Sequence, residues 1–298
     1  MKILSLFDGI SGGKIASERA GLSIDEYVAY EIDPVAIKIS QHNYPDIIQK
    51  GNVVSADFTP YKGFDLLLAG FPCQDLSIGN IKRKGLAGER SGLFSETLRA
   101  LEQTKAKYFL IENNYKMPER DRDFISESLG VNPILIDSSI ISAQQRKRLY
   151  WTNIPAIKDI SPKRIYIKDI IEPDIILPDY YDKVKFNDKK YLTSLSDKPI
   201  RIGIIDNGGQ GYRVYSSYGK SITITANSGG LGSKTGLYLI NNKVRKLSPL
   251  EAERCQTLPD GYTAVSGLSD NQRLECIGNG WTIDVISYLL SGLAGESK

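Results

Sequence analysis

Lys2-Ile3-Leu4-Ser5-Leu6-Phe7-Asp8-Gly9-Ile10-Ser11-Gly12-Gly13-Lys14 is the stretch from which the fold is read. Lys2 to Phe7 alternates and is apolar enough for a first β-strand. The glycine turn at 8–13 then feeds a helix from Lys14 to Ala20, which Gly21 stops. Strand, glycine turn and helix in that order let the backbone approach a ligand closely at a helix N-terminus, as in nucleotide-binding folds. A second predicted strand, Tyr27-Val28-Ala29-Tyr30, ends in Glu31, 24 residues after Phe7. That is near the spacing at which an acidic residue takes ribose hydroxyls in a dinucleotide site. Asp33-Pro34 opens a helix to about His42, with proline at an early helical position.

The same grammar recurs downstream. The apolar strand Asp65-Leu66-Leu67-Leu68-Ala69 runs into Gly70-Phe71-Pro72-Cys73-Gln74-Asp75, a thiol presented where ligands collect in open α/β sheets. Alone, a cysteine is more often inert packing. The stretch 74–90, with Gly79, Gly85, Gly88 and Lys82-Arg83-Lys84, reads as a positively charged lid, and 91–101 as a helix packing Leu93, Phe94, Leu98 and Leu101. Lys107 to Ile111 is a strand ending in Glu112-Asn113. Strands at 134–136 and 149–151 flank Gln144-Gln145-Arg146-Lys147-Arg148. In strand geometry Gln144, Arg146 and Arg148 share a face, so two guanidiniums point into one site. Strand and helix alternating, with functional candidates only at strand ends, predict a doubly wound α/β sheet.

The totals narrow the chemistry. One histidine, His42, removes any histidine triad, and Cys73, Cys255 and Cys276 have no metal-ligand spacing, so no metal site is expected. Acid and base work falls to carboxylates, a thiol or water. No run of about 18 apolar residues could span a bilayer, and 1–7 meets Asp8-Gly9 too soon for a signal peptide, so a cytoplasmic protein is expected. The net charge is +3, yet residues 140–255 hold 20 Lys and Arg against 11 Asp and Glu. Such a region suits a polyanion such as nucleic acid; a merely solvated lysine-rich surface is the plain alternative. From Pro155 to Asn242 the texture turns irregular and glycine-rich, which reads as a small second domain. Ser248-Pro249-Leu250-Glu251 is a capping box opening a helix that carries Arg254 and Cys255, and Gly278-Asn279-Gly280 reads as a turn before an apolar C-terminal helix from Thr282 to about Leu293. The expected division is 1–155, 156–242 and 243–298.

In combination these motifs resemble the cytosine-5 DNA methyltransferase family over nearly the whole chain. Phe7-Asp8-Gly9-Ile10-Ser11-Gly12-Gly13 resembles its Phe-x-Gly cofactor turn, Glu31 its ribose-binding acid and Phe71-Pro72-Cys73-Gln74 its nucleophile motif. Glu112-Asn113 resembles Glu-Asn-Val, Gln144-x-Arg146-x-Arg148 resembles Gln-x-Arg-x-Arg, Arg245 through Glu251, Arg254 and Pro259-Asp260 the ninth motif, and Gly278-Asn279 the last. The resemblance implies a Rossmann-like cofactor domain, an inserted target-recognition domain and a C-terminal helix returning to the large domain. Three departures stand out: Asn114 replaces valine, Asn52 stands where an acid would take the adenine amino group, and Ser11 replaces a glycine. An asparagine carbonyl still accepts that hydrogen bond.

The resemblance further implies S-adenosylmethionine as cofactor, held by Phe7, Asp8, Gly9, Ile10, Gly12, Glu31, Ile32, Asn52, Val53, Pro72 and Asn279. Cys73 would be the nucleophile, Glu112 would hold ring nitrogen 3 and the exocyclic amine, Arg146 the ring carbonyl, and Arg148 would support the loop. Double-stranded DNA with a short GC-containing site is the implied partner, contacted by Gln74, Ser77, Lys82, Arg83, Gln210, Arg213, Thr223, Thr225 and Asn227. A monomer, with a restriction endonuclease acting separately, is the implied setting. The rival readings are a tRNA cytosine-5 methyltransferase and a catalytically inactive DNA-binding homologue.

Overall fold

The computed structural model describes residues 1–72, 92–155, 160–226, 231 and 233–294. The expectations placed on Cys73, Gln74, Ser77, Lys82, Arg83 and Asn227, and the lid at 74–90, lie outside the described residues. Two compact units emerge, one of Met1–Ile136, Lys147–Lys158 and the chain from Ile286 on, the other of Asp137–Arg146 and Asp159–Val285.

The first unit is built on β1 (Lys2–Leu6), α1 (Gly12–Arg19), β2 (Glu26–Tyr30), α2 (Pro34–Asn43), β3 (Ile48–Gln49), β4 (Leu66–Ala69), α3 (Gly92–Thr104), β5 (Tyr108–Asn114), α4 (Glu119–Leu129), β6 (Ile134–Asp137) and β7 (Lys147–Thr152). The sheet order is β3-β2-β1-β4-β5-β7-β6, parallel from β3 to β5, with β7 antiparallel to β5. Because parallel strands are covered on both faces, β4 and the Tyr108 to Ile111 part of β5 read as unbroken apolar runs rather than alternations, and Leu66 to Ala69 are fully buried. Leu4, Leu67, Ile111, Phe94 and Trp151 lie in one core cluster of this unit. Each such side chain is worth about 1.5–3 kcal/mol when fully buried.

Local rules set the helix ends. Asp33 caps α2 by accepting from the Val35 amide at 2.9 Å, and Pro34 needs no partner for a missing N–H. Gly130, at φ 69°, closes α4 in the left-handed conformation that glycine adopts without strain.

The second unit carries a five-stranded sheet, ordered β12-β11-β10-β9-β8, where the sequence suggests only irregular chain. Its strands are β8 (Lys185–Phe186), β9 (Arg201–Ile204), β10 (Arg213–Ser216), β11 (Leu237–Ile240) and β12 (Lys243–Arg245). They are two to four residues long, too short to leave a clear alternation. Ile202, Val214, Leu237 and Val244 pack in its core. Next come α5 (Pro249–Cys255), α6 (Asp270–Asn279) and α7 (Ile283–Leu290). The Ser248–Glu251 capping box opens α5 as expected. Gly278 and Asn279, expected in a turn, are instead the last residues of α6. A Ser269–Gln272 capping box starts that helix, and the amide of Gly280 closes it on the carbonyls of Cys276 and Ile277.

Candidate active site

The carboxyl ends of β1, β2, β4 and β5 gather the first unit's candidates. Past β1, Phe7 and Gly9 take left-handed backbone at φ 56° and 58°, and beyond Gly9 and its chain neighbours no atom stands within 4 Å of the position a Gly9 Cβ would occupy. Glu31, just past β2, accepts from Gly9 N at 2.7 Å through one oxygen and from the amides of Ile32 and Asp33 at 2.7 and 2.8 Å through the other. The acid is thus clamped by main chain before any ligand arrives. Ile32 beside it is 69% exposed, a large apolar surface left open, whereas Ile10, Gly12 and Val53 are buried. Asn52 is exposed, and its carbonyl oxygen accepts from Val54 N at 3.0 Å. The next carbonyls are held by Arg99, which donates to the oxygens of Val53 and Ala56 at 3.0 and 2.6 Å, with its guanidinium over the Phe58 ring. Nothing in the motif pattern singles out Arg99, because it acts on backbone 43 to 46 residues away.

Asp8 is the perturbed acid of this cleft. Burial pushes its carboxyl up to about 6, and the neighbouring Glu31 charge acts in the same direction, against hydrogen bonds from Ser11, Ser5 and Tyr27.

At the next strand ends, Arg148 Nε lies 2.9 Å from Glu112 Oε1, with only 15% and 12% of the two side chains exposed. Register explains the meeting: β5 and β7 run antiparallel, with Glu112 opposite Tyr150 and Asn114 opposite Arg148. Asn113 turns its amide the other way and donates to the carbonyl of Phe71 at 3.1 Å, two residues before Cys73 in the chain. Pro72 is exposed.

Arg146 corrects the expectation of two guanidiniums on one strand face. Strand β7 begins only at Lys147, so Gln144 and Arg146 precede it and lie in the second unit. Arg146 is 5% exposed and donates to the carbonyls of Ile224, Gly278 and Gly280 at 3.0, 3.2 and 2.9 Å. Gln144 accepts from the Ile224 amide at 2.8 Å, so the two motif residues hold both backbone groups of Ile224. Gln256 completes the frame. Its amide nitrogen donates to the oxygens of Ile277 and Gly280, while its carbonyl accepts from Gln144 and Thr282. Sequence reading missed Gln256, which is fully buried at the end of α5 and carries no pattern in the sequence that marks it.

Of the groove candidates, Thr223 donates its hydroxyl to Gln145 O at 2.8 Å, Gln210 donates to Lys234 O at 3.2 Å and Arg213 to Gly208 O at 3.3 Å. Thr225 follows Ile224, and its backbone passes so close to Gly278 that a Cβ there would lie 2.3 Å from Thr225 C. Asn279 is exposed at the end of α6. The ninth-motif residues are brackets. Arg245 meets Glu251 through two 2.7 Å bonds in the interior, and Arg254 meets Asp260 at 2.6 Å.

A sheet parallel from β3 to β5 and antiparallel at β7, with a clamped acid past β2 and a Glu–Arg pair joining the end of β5 to the start of β7, defines an α/β methyltransferase. The chain belongs to the C-5 cytosine-specific DNA methylase family, which it matches over residues 1–294. It is 29% identical to Type II methyltransferase M.HhaI of Haemophilus parahaemolyticus, over 97% of this chain and 93% of that one. It is also 29% identical to Type II methyltransferase M.Bsp6I of Bacillus sp. (strain RFL6), over 98% of each. Among solved structures, the Entamoeba histolytica methyltransferase EhMeth superposes with a TM-score of 0.77 at 17% identity, covering 100% of this chain and 99% of that one. The S. pombe Dnmt2 methyltransferase gives 0.68 at 17% identity, covering 100% of both. These two likenesses show the fold. The family is one of enzymes that use S-adenosylmethionine and act on DNA. Among the described residues no helix is long and apolar enough to cross a membrane.

Proposed function

We propose that this enzyme methylates carbon 5 of a cytosine flipped out of a short, GC-containing duplex site. The observation that carries the reading is the Glu112–Arg148 pair at the carboxyl end of the sheet, next in the chain to the asparagine that ties Phe71 ahead of Cys73.

The cleft at β1 and β2 fits S-adenosylmethionine by its donor set. Glu31 offers a carboxylate to vicinal hydroxyls, Gly9 leaves its face open, and Ile32 offers an exposed apolar surface to a flat base. Phe7, Asp8, Gly9, Ile10, Gly12, Glu31, Ile32, Asn52, Val53, Pro72 and Asn279 would hold it. Bound there, it supplies an electrophilic methyl group.

The rest is the work of this chain's residues. Cytosine is too electron-poor at carbon 5 to take a methyl group, so the Cys73 thiolate adds to carbon 6 and makes carbon 5 electron-rich. Glu112 hydrogen-bonds nitrogen 3 and the exocyclic amine, which stabilises the adduct and selects cytosine over thymine. Arg148, rather than Arg146, is the guanidinium at Glu112. It fixes that carboxylate and faces the ring carbonyl, while Arg146 serves the backbone at Ile224. Loss of the carbon-5 proton afterwards expels Cys73. Unstacking the base costs a few kcal/mol, and contacts from residues 156–242 offset it. Gln74, Ser77, Lys82, Arg83, Gln210, Arg213, Thr223, Thr225 and Asn227 are the proposed DNA contacts. A monomer acting in the cytoplasm, alongside a separately acting restriction endonuclease, is the proposed setting.

Covalent trapping tests this. With S-adenosylmethionine and duplexes carrying 5-fluorocytosine in varied contexts, a denaturation-resistant adduct is expected that vanishes in Cys73→Ser. An adduct with fluorinated tRNA alone would move the reading to RNA, and none with either would leave an inactive DNA-binding homologue.

A further inference from the structure

Ser11 is an anomaly. A serine before a helix ordinarily has extended backbone and caps the helix with its hydroxyl. Ser11 instead sits left-handed at φ 59°, ψ 38°, makes no side-chain cap and is fully buried. A non-glycine residue there is strained, so its side chain should have other work. Its hydroxyl lies 2.6 Å from Asp8 Oδ2 and 2.6 Å from the hydroxyl of Ser40 on α2, also fully buried. Ser40 in turn accepts from Gln49 Nε2 on β3 at 3.2 Å. Each serine has one proton to give. With Gln49 donating to Ser40, Ser40 gives to Ser11 and Ser11 to Asp8, whose other oxygen accepts from Tyr27 at 2.7 Å. All protons run toward the carboxylate.

Asp8 immediately precedes Gly9 of the cofactor turn, and Gln49 stands three residues before Asn52. We infer that Ser11, Ser40 and Gln49 are positioning residues of the cofactor cleft, a buried relay that locks the glycine turn after β1 to the loop leaving β3. This rests on the proposed cofactor reading of both segments. The relay spans the two ends of the cleft and is strongest with Asp8 ionised, since a protonated Asp8 would compete with Ser11 for direction. The charged or titratable groups that act on Asp8 are Tyr27 on β2 and Glu31 past β2; the Lys14 ammonium on α1 lies 5.9 Å from the Tyr27 ring and is paired with Asp46 at 3.1 Å.

Calorimetric titration of the full chain with S-adenosylmethionine, together with a carbon-13 carboxyl NMR titration of Asp8, tests the relay. Ser11→Gly, Ser40→Ala and Gln49→Ala should each weaken binding roughly three- to tenfold, the scale of one lost hydrogen bond. Ser11→Gly should do so with no fall in Tm, because glycine accepts φ 59° without strain, and it keeps the test valid if Ser40→Ala folds poorly. The double variant Ser11→Gly/Ser40→Ala should bind no worse than the weaker single, because one chain is cut twice. The Asp8 carboxyl should titrate at higher pH in Ser11→Gly than in the parent, a change that packing alone would not produce. Binding within twofold and an unmoved Asp8 titration in Ser11→Gly and Ser40→Ala, while Glu31→Ala abolishes binding, would overturn the relay and leave the cofactor site standing. Unimpaired binding in Glu31→Ala would bring down both.

Discussion

Arg148 Nε and Glu112 Oε1 lie 2.9 Å apart because β7 runs back along β5, and neither residue is contiguous with the other in the motif pattern. The pair fixes where the carboxylate points. Arg148→Ala should therefore lower the single-turnover methylation rate by roughly 10²–10³-fold, the cost of losing one preorganised electrostatic partner. Rapid-quench methylation at saturating S-adenosylmethionine measures it. A loss below tenfold would mean that Glu112 is oriented without Arg148.

Arg146 should behave differently. Its three carbonyl contacts hold Ile224, Gly278 and Gly280, and bonds from a charged donor are worth about 1.5–3 kcal/mol each. Arg146→Ala should lower unfolding stability by about 3 kcal/mol or more in urea denaturation, and Arg146→Lys should restore little, because a lysine cannot reproduce the fork.

Gly278→Ala should be more damaging than its one added methyl suggests. The new Cβ would lie 2.3 to 2.5 Å from backbone atoms of Thr225 and Ala226, which have no flexible side chain to move aside. Loss of DNA binding in a filter or anisotropy assay, with S-adenosylmethionine affinity retained, is the expected pattern.

The spare thiols should be inert. Cys255 is wholly buried, and burial pushes its pKa up to about 12; Cys276 is buried too. Iodoacetamide at pH 8 should leave both unmodified in the native chain and label them after denaturation, read by peptide mass spectrometry. Cys255→Ser should methylate normally.

Asp8 makes stability depend on pH with a definite sign. Its native pKa, about 6, is raised above the usual 3.8, so the native state binds the proton more tightly. The contribution of this group is full below about pH 3.8 and is lost as pH rises through about 6. Relative to the parent, Asp8→Asn should gain Tm between pH 4.5 and 7.5 by differential scanning calorimetry. A difference that does not change with pH would remove Asp8 as the titrating group.

Much of this site is written in short-range patterns. Glu31 past β2, the Asp33 cap and the Ser248 box are set by neighbours within a few positions, and each is found where the residues suggest; the glycine turn after β1 is shorter than expected, since Gly12 and Gly13 already belong to α1. Arg146 and Arg148 divided their roles because the strand begins one residue after Arg146, and a two-residue period does not reveal where a strand starts. Gln256, Arg99 and Ser40 were illegible for a different reason. Their partners lie far away in sequence, and a single polar residue carries no periodic signal. The second sheet was hidden by strands too short to alternate.

Gln144 and Arg146 grasp the amide and carbonyl of Ile224, the main chain of the segment they secure. A main-chain grip is blind to the letters it holds. The Thr223 hydroxyl adds a bond of its own to the carbonyl of Gln145, but the clamp on Ile224 does not depend on the side chain it holds, so the segment is built like a typesetter's frame, with a fixed clamp around replaceable type. If Thr223 and Thr225 contact DNA as proposed, substitution there would rewrite specificity without rebuilding the scaffold beneath it.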